Sequence, residues 1–209
     1  AFRSAFGTNV GIGSQGLVMF GTEAQKAKYL PGIASGEIIT SFALTEPEAG
    51  SDSANVQTRA IRDGDFYVLN GTKRFITNAN KADLFTVMAR SDPSKPGGGG
   101  VSAFLVERNL AGLSVGTPEK KMGLHCDTVR EVIDEDVPVD AARRIGDEGQ
   151  GMPIALAALD AGRLGIAAAA TGLAQSALDV AVAYAKERGQ FGRAIASNQG
   201  LAFLIAALE

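Results

Sequence analysis

The hydrophobic and polar positions fall into three successive regimes along the chain. Residues 1–36 follow a helical period. Thr22-Glu23-Ala24-Gln25 is a capping-box pattern, with the Thr hydroxyl placed for the Gln25 amide and the Gln side chain reaching back. Ala24, Ala27 and Leu30 then share one face, and Pro31-Gly32 predicts the end of that helix. From Ile38 to about Val139 the pattern is that of strands. Asp63-Gly64 and Asn70-Gly71 predict type I′ hairpin turns around short β-rich runs at 66–69 and 74–77. Further strands are expected at 84–89, 101–106, 113–115 and 129–133, a spacing that indicates a small antiparallel sandwich or barrel. Pro96 and Gly97 to Gly100 predict a flexible tip, not a phosphate cradle, because no helix follows.

After Gly149-Gln150-Gly151 the helical period returns. An Ala-rich helix from about Ile154 to Lys186 would run roughly 50 Å, which requires a bundle around it. A connector at 188–193 precedes a second helix from about Ser197, still apolar at Glu209. One and a half helices cannot close a bundle, so the expectation is that the chain is incomplete. The fold class is α+β in three segments: a helical tail at 1–36, a β-domain at 37–142, and the first helices of a bundle at 143–209.

Composition removes several function classes. With 209 residues, 45% of them hydrophobic, the chain can bury a core. A net charge of −3 and the absence of a Lys/Arg-rich run give no indication of a nucleic-acid partner. One cysteine, Cys126, excludes an internal disulfide and fits a reducing compartment. With one histidine, His125, no His/Cys zinc site can be assembled, and no spaced carboxylate cluster suggests another metal. No uninterrupted apolar run reaches the length of a membrane span and no signal peptide opens the chain, so a soluble protein without a membrane partner is expected.

Two stretches carry candidate chemistry. Gly11-Ile12-Gly13-Ser14-Gln15-Gly16 matches G-x-G-x-x-G, yet no buried strand precedes it and Gly21 with the cap at Thr22 interrupts the helix that should follow. It is a decoy. Residues 41–52 (Ser-Phe-Ala-Leu-Thr-Glu-Pro-Glu-Ala-Gly-Ser-Asp) end an apolar run in a tight loop rich in hydroxyls and carboxylates. Such a loop gathers backbone N–H donors and short polar side chains, as a site for a polar cofactor needs.

Phe42 to Asp52, Asn70 to Asn78, Leu159 to Arg163 and Arg188 to Gly192, taken in that order, resemble the signature segments of the acyl-CoA dehydrogenase family. Residues 21–26 and 28–31 fit as well. The resemblance implies a flavoprotein with FAD between the β-domain and the C-terminal bundle. It implies oxidation of an acyl-CoA, short- or branched-chain, to the 2-enoyl-CoA, with electrons passed to an electron-transferring flavoprotein. The implied setting is the bacterial cytoplasm or the mitochondrial matrix, in fatty-acid β-oxidation or branched-chain amino-acid catabolism. Alternatives are an acyl-CoA oxidase, a nitroalkane-oxidase-like relative, or a non-catalytic FAD- or acyl-CoA-binding module.

Carried over by position, the resemblance implies FAD contacts from Phe42, Leu44, Thr45, Gly50, Ser51, Phe75, Ile76 and Thr77. Ser51, Asp160, Gly162 and Arg163 would border the acyl-CoA. Arg188, Gln190, Asn198 and Gln199 would reach FAD of a neighbouring subunit, which implies a homodimer or homotetramer. On pattern alone, Phe42, Leu44 and Phe75 are core residues and Thr45 and Thr77 ordinary hydroxyls. Asp160 with Arg163 is then a surface pair and Arg188 a cation at a helix C-terminus. The family's glutamate base stands in some members just before the Arg of the long-helix motif. Here that position is Gly162, so the resemblance places the base beyond Glu209. Asp134 replaces a Phe of relatives, which requires either altered packing or exposure to solvent.

Overall fold

The computed structural model describes residues 2–208, which form two compact units, one up to Gly162 and one from Arg163 onward. The first unit opens with three helices, α1 (Phe2–Val10), α2 (Ile12–Phe20) and α3 (Glu23–Ser35). The capping box is present: Thr22 Oγ1 accepts from Gln25 N at 3.2 Å and Gln25 Oε1 accepts from Thr22 N at 2.9 Å. The Gln25 amide nitrogen also donates to the Ala142 and Arg144 carbonyls at 2.7 and 2.9 Å, tying the cap to the sheet. Contrary to expectation, α3 does not stop at Pro31-Gly32 but passes through them to Gly36, where φ is +82°. Docking of Tyr29 and Ile33 into the core outweighs the one hydrogen bond that proline removes. Tyr29 Oη, Lys28 Nζ and an Arg143 guanidinium nitrogen converge on the Glu107 carboxylate at 2.8, 3.0 and 3.0 Å.

The glycines of the decoy motif serve packing. A Cβ at Gly13 would lie 2.4 Å from Thr40 Oγ1 and 2.7 Å from the Thr8 carbonyl, so α2 presses directly on the first strand.

The strands are β1 (Thr40–Ala43), β2 (Arg59–Asp63), β3 (Phe66–Thr77), β4 (Leu84–Arg90), β5 (Val101–Glu107), β6 (Leu113–Val115), β7 (Val129–Asp140) and β8 (Arg144–Ile145). They form one sheet in the order β6-β7-β3-β2-β4-β5-β8, with β1 alongside β4. Most pairings are antiparallel; β1–β4 and the single β2–β4 bridge are parallel. Residues 84–89 are all buried because both faces of β4 are covered, and only Thr86 among them is polar. Phe85, Val87 and Ala89 enter a cluster with Tyr67, Leu69, Phe104, Val132 and Val139, around which the sheet curls. Leu84 and Met88 face Leu17, Tyr29, Ile33 and Ile154 on the helical side.

Two turn expectations need revision. The β2–β3 hairpin closes at Asp63↔Phe66, so its loop is Gly64-Asp65, with positive φ at Gly64 alone and not at two positions as type I′ requires. Asn70-Gly71 is no turn: both lie inside β3, which runs unbroken from 66 to 77. Glycine is needed at 71 because a Cβ would sit 2.4–2.7 Å from Thr58. The Asn70 amide instead bonds Asp136 of a bulge in β7, as donor to its carboxylate and acceptor from its N–H, both at 2.9 Å. The Gly97–Gly100 segment is also not a free tip. It forms one 3-10 turn, with a Cβ at Gly98 only 2.8 Å from Met152 and the Arg90 guanidinium donating to the Gly97 carbonyl at 3.1 Å.

The last helices follow. The long helix α4 (Gly151–Glu187) begins in the first unit and continues into the second, followed by a ribbon of β9 (Gly189–Gln190) and β10 (Arg193–Ala194) and then α5 (Gln199–Ala206). Here the sequence reading missed something: α4 contains an 18-residue window of mean hydropathy 1.4, long and apolar enough by length and composition to cross a membrane. Alanines with interspersed leucines and isoleucines supply that value between scattered charges, which is why no uninterrupted run stood out.

Two buried charges dominate the first unit. Lys73 is fully buried; its ammonium bonds Glu46 at 2.7 Å and donates to the Met88 and Leu44 carbonyls at 2.6 and 3.2 Å. Glu46, 5% exposed, also accepts from Gln57 N at 2.6 Å, Thr58 N at 3.0 Å and Thr58 Oγ1 at 2.5 Å. Burial alone would push the Glu46 carboxyl up, but Lys73 and these donors outweigh it and hold it below the ordinary value. Burial pushes the Lys73 ammonium down, opposed by Glu46 and by the charge of Asp134.

Asp134 does not face solvent. It is 2% exposed, opposite Gly71 in the ladder, and neither carboxylate oxygen has a hydrogen-bond partner among the described residues. Burial raises its pKa to about 6, with Lys73 opposing. A folded-state pKa above the ordinary 3.8 means that stability is intact below that value and is lost as pH rises to about 6. The loss is about 3 kcal/mol. Asp134→Leu is expected to raise the denaturation midpoint at pH 7, with the gain over wild type shrinking by about 3 kcal/mol as pH falls below 4; an equal gain at both pH values would contradict the assignment. Breaking the other pair, by Lys73→Met or Glu46→Gln, is expected to cost about 3–5 kcal/mol in denaturant unfolding. Replacing both residues with apolar ones should cost far less than the sum of the single changes.

Candidate functional site

The site begins where β1 and β3 run out of regular pairing. Register shifts between Lys73 and Ile76, so Arg74 and Phe75 leave the ladder with β7. Arg74 N donates instead to the Thr45 carbonyl at 2.8 Å, and Ser41 Oγ donates to the Thr77 carbonyl at 2.5 Å. These bonds place 42–45 beside 74–77. Phe75 adopts φ +59° and remains 57% exposed, with the Arg74 guanidinium 5.0 Å from its ring centroid. A bulky side chain in that backbone region costs on the order of 1–3 kcal/mol and marks a functional position when its surroundings enforce it. Here buried Lys73 and Ile76 on either side enforce it.

The result is a shelf. Phe42 is half-buried, Leu44 buried, Phe75 exposed; Thr45 and Thr77 are half-buried at its edges. Neither threonine hydroxyl has a hydrogen-bond partner among the described residues. An apolar surface bordered by two unengaged hydroxyls suits a flat ring system with a polar rim. Ile76 points into the core and leaves only its backbone for a ligand. Gly50 and Ser51 follow a turn in which Glu46 N donates to the Ala49 carbonyl at 3.0 Å and Ala49 N to the Glu46 carbonyl at 3.3 Å. Both are exposed, and a Cβ at Gly50 would meet nothing in the chain.

The sequence reading quoted Glu46 and Lys73 within its motifs but gave them no role. They fix the shelf: one buried ion pair joins the 41–52 loop to β3 and, through Met88, to β4. The signal was available in the period of β3. Tyr67, Leu69, Gly71 and Lys73 fall on one face, and a lysine at an inward position requires a buried anion.

The other expected residues lie elsewhere. On α4, Asp160 and Arg163 stand three residues apart and each has an interaction partner within the chain. A Cβ at Gly162 would lie 2.7 Å from Ile12 Cγ2, so close helix contact explains that glycine, and the position supplies no carboxylate. In the second unit, Arg188 N donates to the Tyr184 carbonyl at 2.8 Å and the Arg188 carbonyl accepts from Ile195 N at 2.9 Å. Gln190 pairs with Arg193, whose guanidinium donates to Asn198 Oδ1 at 3.2 Å, and Gln199 opens α5. The ribbon thus folds Arg188, Gln190, Asn198 and Gln199 into one exposed patch. His125 and Cys126 are exposed, and among the described residues no group of three His, Cys, Asp or Glu could hold a metal ion.

Three family models match in order: the acyl-CoA dehydrogenase N-terminal domain at 1–37, middle domain at 41–137 and C-terminal domain at 149–209. A short-chain-specific acyl-CoA dehydrogenase of Clostridium acetobutylicum is 48% identical over 90% of this chain and 50% of its own length. The caffeyl-CoA reductase-Etf complex subunit CarC of Acetobacterium woodii is 47% identical over 91% of this chain and 50% of its own length. The structure of butyryl-CoA dehydrogenase from Megasphaera elsdenii superposes with a TM-score of 0.93 at 41% identity, covering 98% of this chain and 53% of that one. An acyl-CoA dehydrogenase from Bacillus anthracis solved with FAD gives a TM-score of 0.91 at 40% identity, covering 99% of this chain and 35% of that one. The chain spans about half the length of the curated relatives it matches. With the domain models in sequence order over nearly all its residues, the chain belongs to the acyl-CoA dehydrogenase family.

Proposed function

We propose that the protein containing this chain binds FAD and oxidises a short- or branched-chain acyl-CoA at the α,β bond, passing electrons to an electron-transferring flavoprotein. The observation that carries this reading is the shelf made by Phe42, Leu44 and Phe75 with the hydroxyls of Thr45 and Thr77, which have no partner among the described residues. It has the shape and chemistry for an isoalloxazine ring, and a relative of the same fold was solved with FAD. The named substrates of the butyryl-CoA and short-chain relatives support a small acyl group, and the Etf-complex relative supports the electron acceptor.

FAD would supply the hydride acceptor. In this reading the chain's residues orient and exclude water. Phe75 covers one face of the ring, and Thr45 and Thr77 hydrogen-bond its polar edge. Gly50 leaves room for the ligand backbone, and Ser51 meets both FAD and the CoA arm. Asp160, Gly162 and Arg163 would border the acyl-CoA, and the absence of a carboxylate at Gly162 leaves proton abstraction to a glutamate outside these 209 residues. Arg188, with Gln190, Asn198 and Gln199, would bind FAD of a second subunit, a guanidinium being suited to bidentate contact with a pyrophosphate. That arrangement makes the assembly a homodimer or homotetramer and α4 a bundle helix.

Thr45→Val and Arg188→Ala in the complete protein are expected to reduce the FAD retained after gel filtration, read from the visible flavin absorbance. Unchanged colour in both would remove the two assignments. A polypeptide limited to the 209 residues is expected to form no enoyl-CoA from butyryl- or isobutyryl-CoA; turnover would mean that the base lies within this chain.

A further inference from the structure

We infer that the open edge of β2 is a docking strand for an extended acidic segment of a partner protein. β2 pairs with β3 along its whole length but meets β4 at one position only, Arg59↔Arg90, where Arg90 N donates to the Thr58 carbonyl at 2.7 Å. β4 ends there, and the chain departs through Ser91 and Pro93. Among the described residues, 60–63 therefore have no strand on that side. The gap is a groove of about 610 Å³ lined by Gln57, Arg59, Ile61, Arg62, Arg90 and Pro93 among others, with no carboxylate in its lining.

The wall is rigid and its charge is available. The Arg90 guanidinium is committed to the Val56, Ala54 and Gly97 carbonyls at 3.0, 3.0 and 3.1 Å. Arg62 uses Nε on the Gly64 carbonyl at 3.2 Å and lies 5.7 Å from the Tyr67 ring centroid, leaving its terminal nitrogens without a partner among the described residues. Arg59 is exposed and has no partner among them. Of the acids adjacent in sequence to lining residues, Asp63 ends β2 and Asp92 already holds Ser94 and Lys95. Arg59 and Arg62 are an odd number of residues apart, so they flank the edge on opposite faces of the sheet. An added strand presents its side chains alternately to those two faces, which lets acidic residues on it reach both arginines while its backbone pairs with β2. Ile61, 60% exposed, offers an apolar contact on the Arg59 face. Charged residues on an edge commonly prevent pairing; two cations with no lining anion repel a basic strand and admit an acidic one.

The test is fluorescence polarisation of the complete protein with a labelled peptide of repeating Glu-Glu-Val-Val, which places glutamates on both faces of an added strand. Binding with a dissociation constant below about 1 mM is expected. It should weaken about tenfold or more in Arg59→Glu/Arg62→Glu, and the milder Arg59→Gln/Arg62→Gln should show a smaller loss if the first variant does not fold. Backbone N-methylation of the peptide should abolish binding. The proposal is overturned if there is no binding up to that concentration, or if a Lys-Val peptide binds equally well. It is equally overturned if the N-methylated peptide keeps its affinity, or if inorganic phosphate displaces the probe, which would make the groove a small-anion site.

Discussion

The buried contact between Lys73 and Glu46 is the constraint on which the candidate site depends. Taking two charges out of water is expensive, and the pair survives because every remaining hydrogen-bonding position is used: two main-chain carbonyls on the ammonium, two main-chain amides and one hydroxyl on the carboxylate. Those partners come from the 41–52 loop, the two residues just before β2, and β4, so a single ion pair joins segments far apart in sequence. A hydrophobic pair could fill the same volume. It could not hold the Leu44 carbonyl and the Thr58 amide at once, and so would not fix where the loop leaves the sheet.

From that fixed point the geometry of the shelf follows. With Lys73 committed inward and Ile76 in the core, the two residues between them must bulge, and Phe75 is held outward at positive φ. The strain lies at the exposed aromatic and the stabilisation lies at the buried pair, a division commonly found at ligand sites. Asp134 adds a second carboxylate near the same ammonium with no hydrogen bond of its own. It is a local conflict in this part of the core, and it withdraws stability from this side of the sheet as pH rises towards about 6.

Much of the fold could be read from the chain. Strands at 84–90, 101–107 and 113–115, the cap at Thr22 and the long helix all declared themselves through period and capping chemistry. What could not be read was decided by contacts distant in sequence. Asn70-Gly71 carries a strong turn signal, yet the glycine exists because Thr58 passes over it. Pro31 looks like a helix terminator, yet Tyr29 and Ile33 carry the helix past it. Of the candidate site, the motifs singled out residues 42–45, 75–77 and 188–199, and the first two of these segments lie side by side through the Arg74–Thr45 and Ser41–Thr77 hydrogen bonds. The anchoring roles of Glu46 and Lys73 were visible only as an inward lysine without an evident partner. The parallel pairing of β1 with β4 had no local signal at all.

The claim that joins these observations is that the shelf beside Thr45 and Phe75 holds a flavin that a small acyl-CoA reduces. The visible absorption of the purified complete protein, titrated without oxygen with acyl-CoAs of increasing length, tests it most directly. The account predicts a yellow protein whose flavin band is bleached by a short or branched acyl-CoA. A colourless protein that takes up no FAD, or a yellow one that no acyl-CoA bleaches, would contradict it.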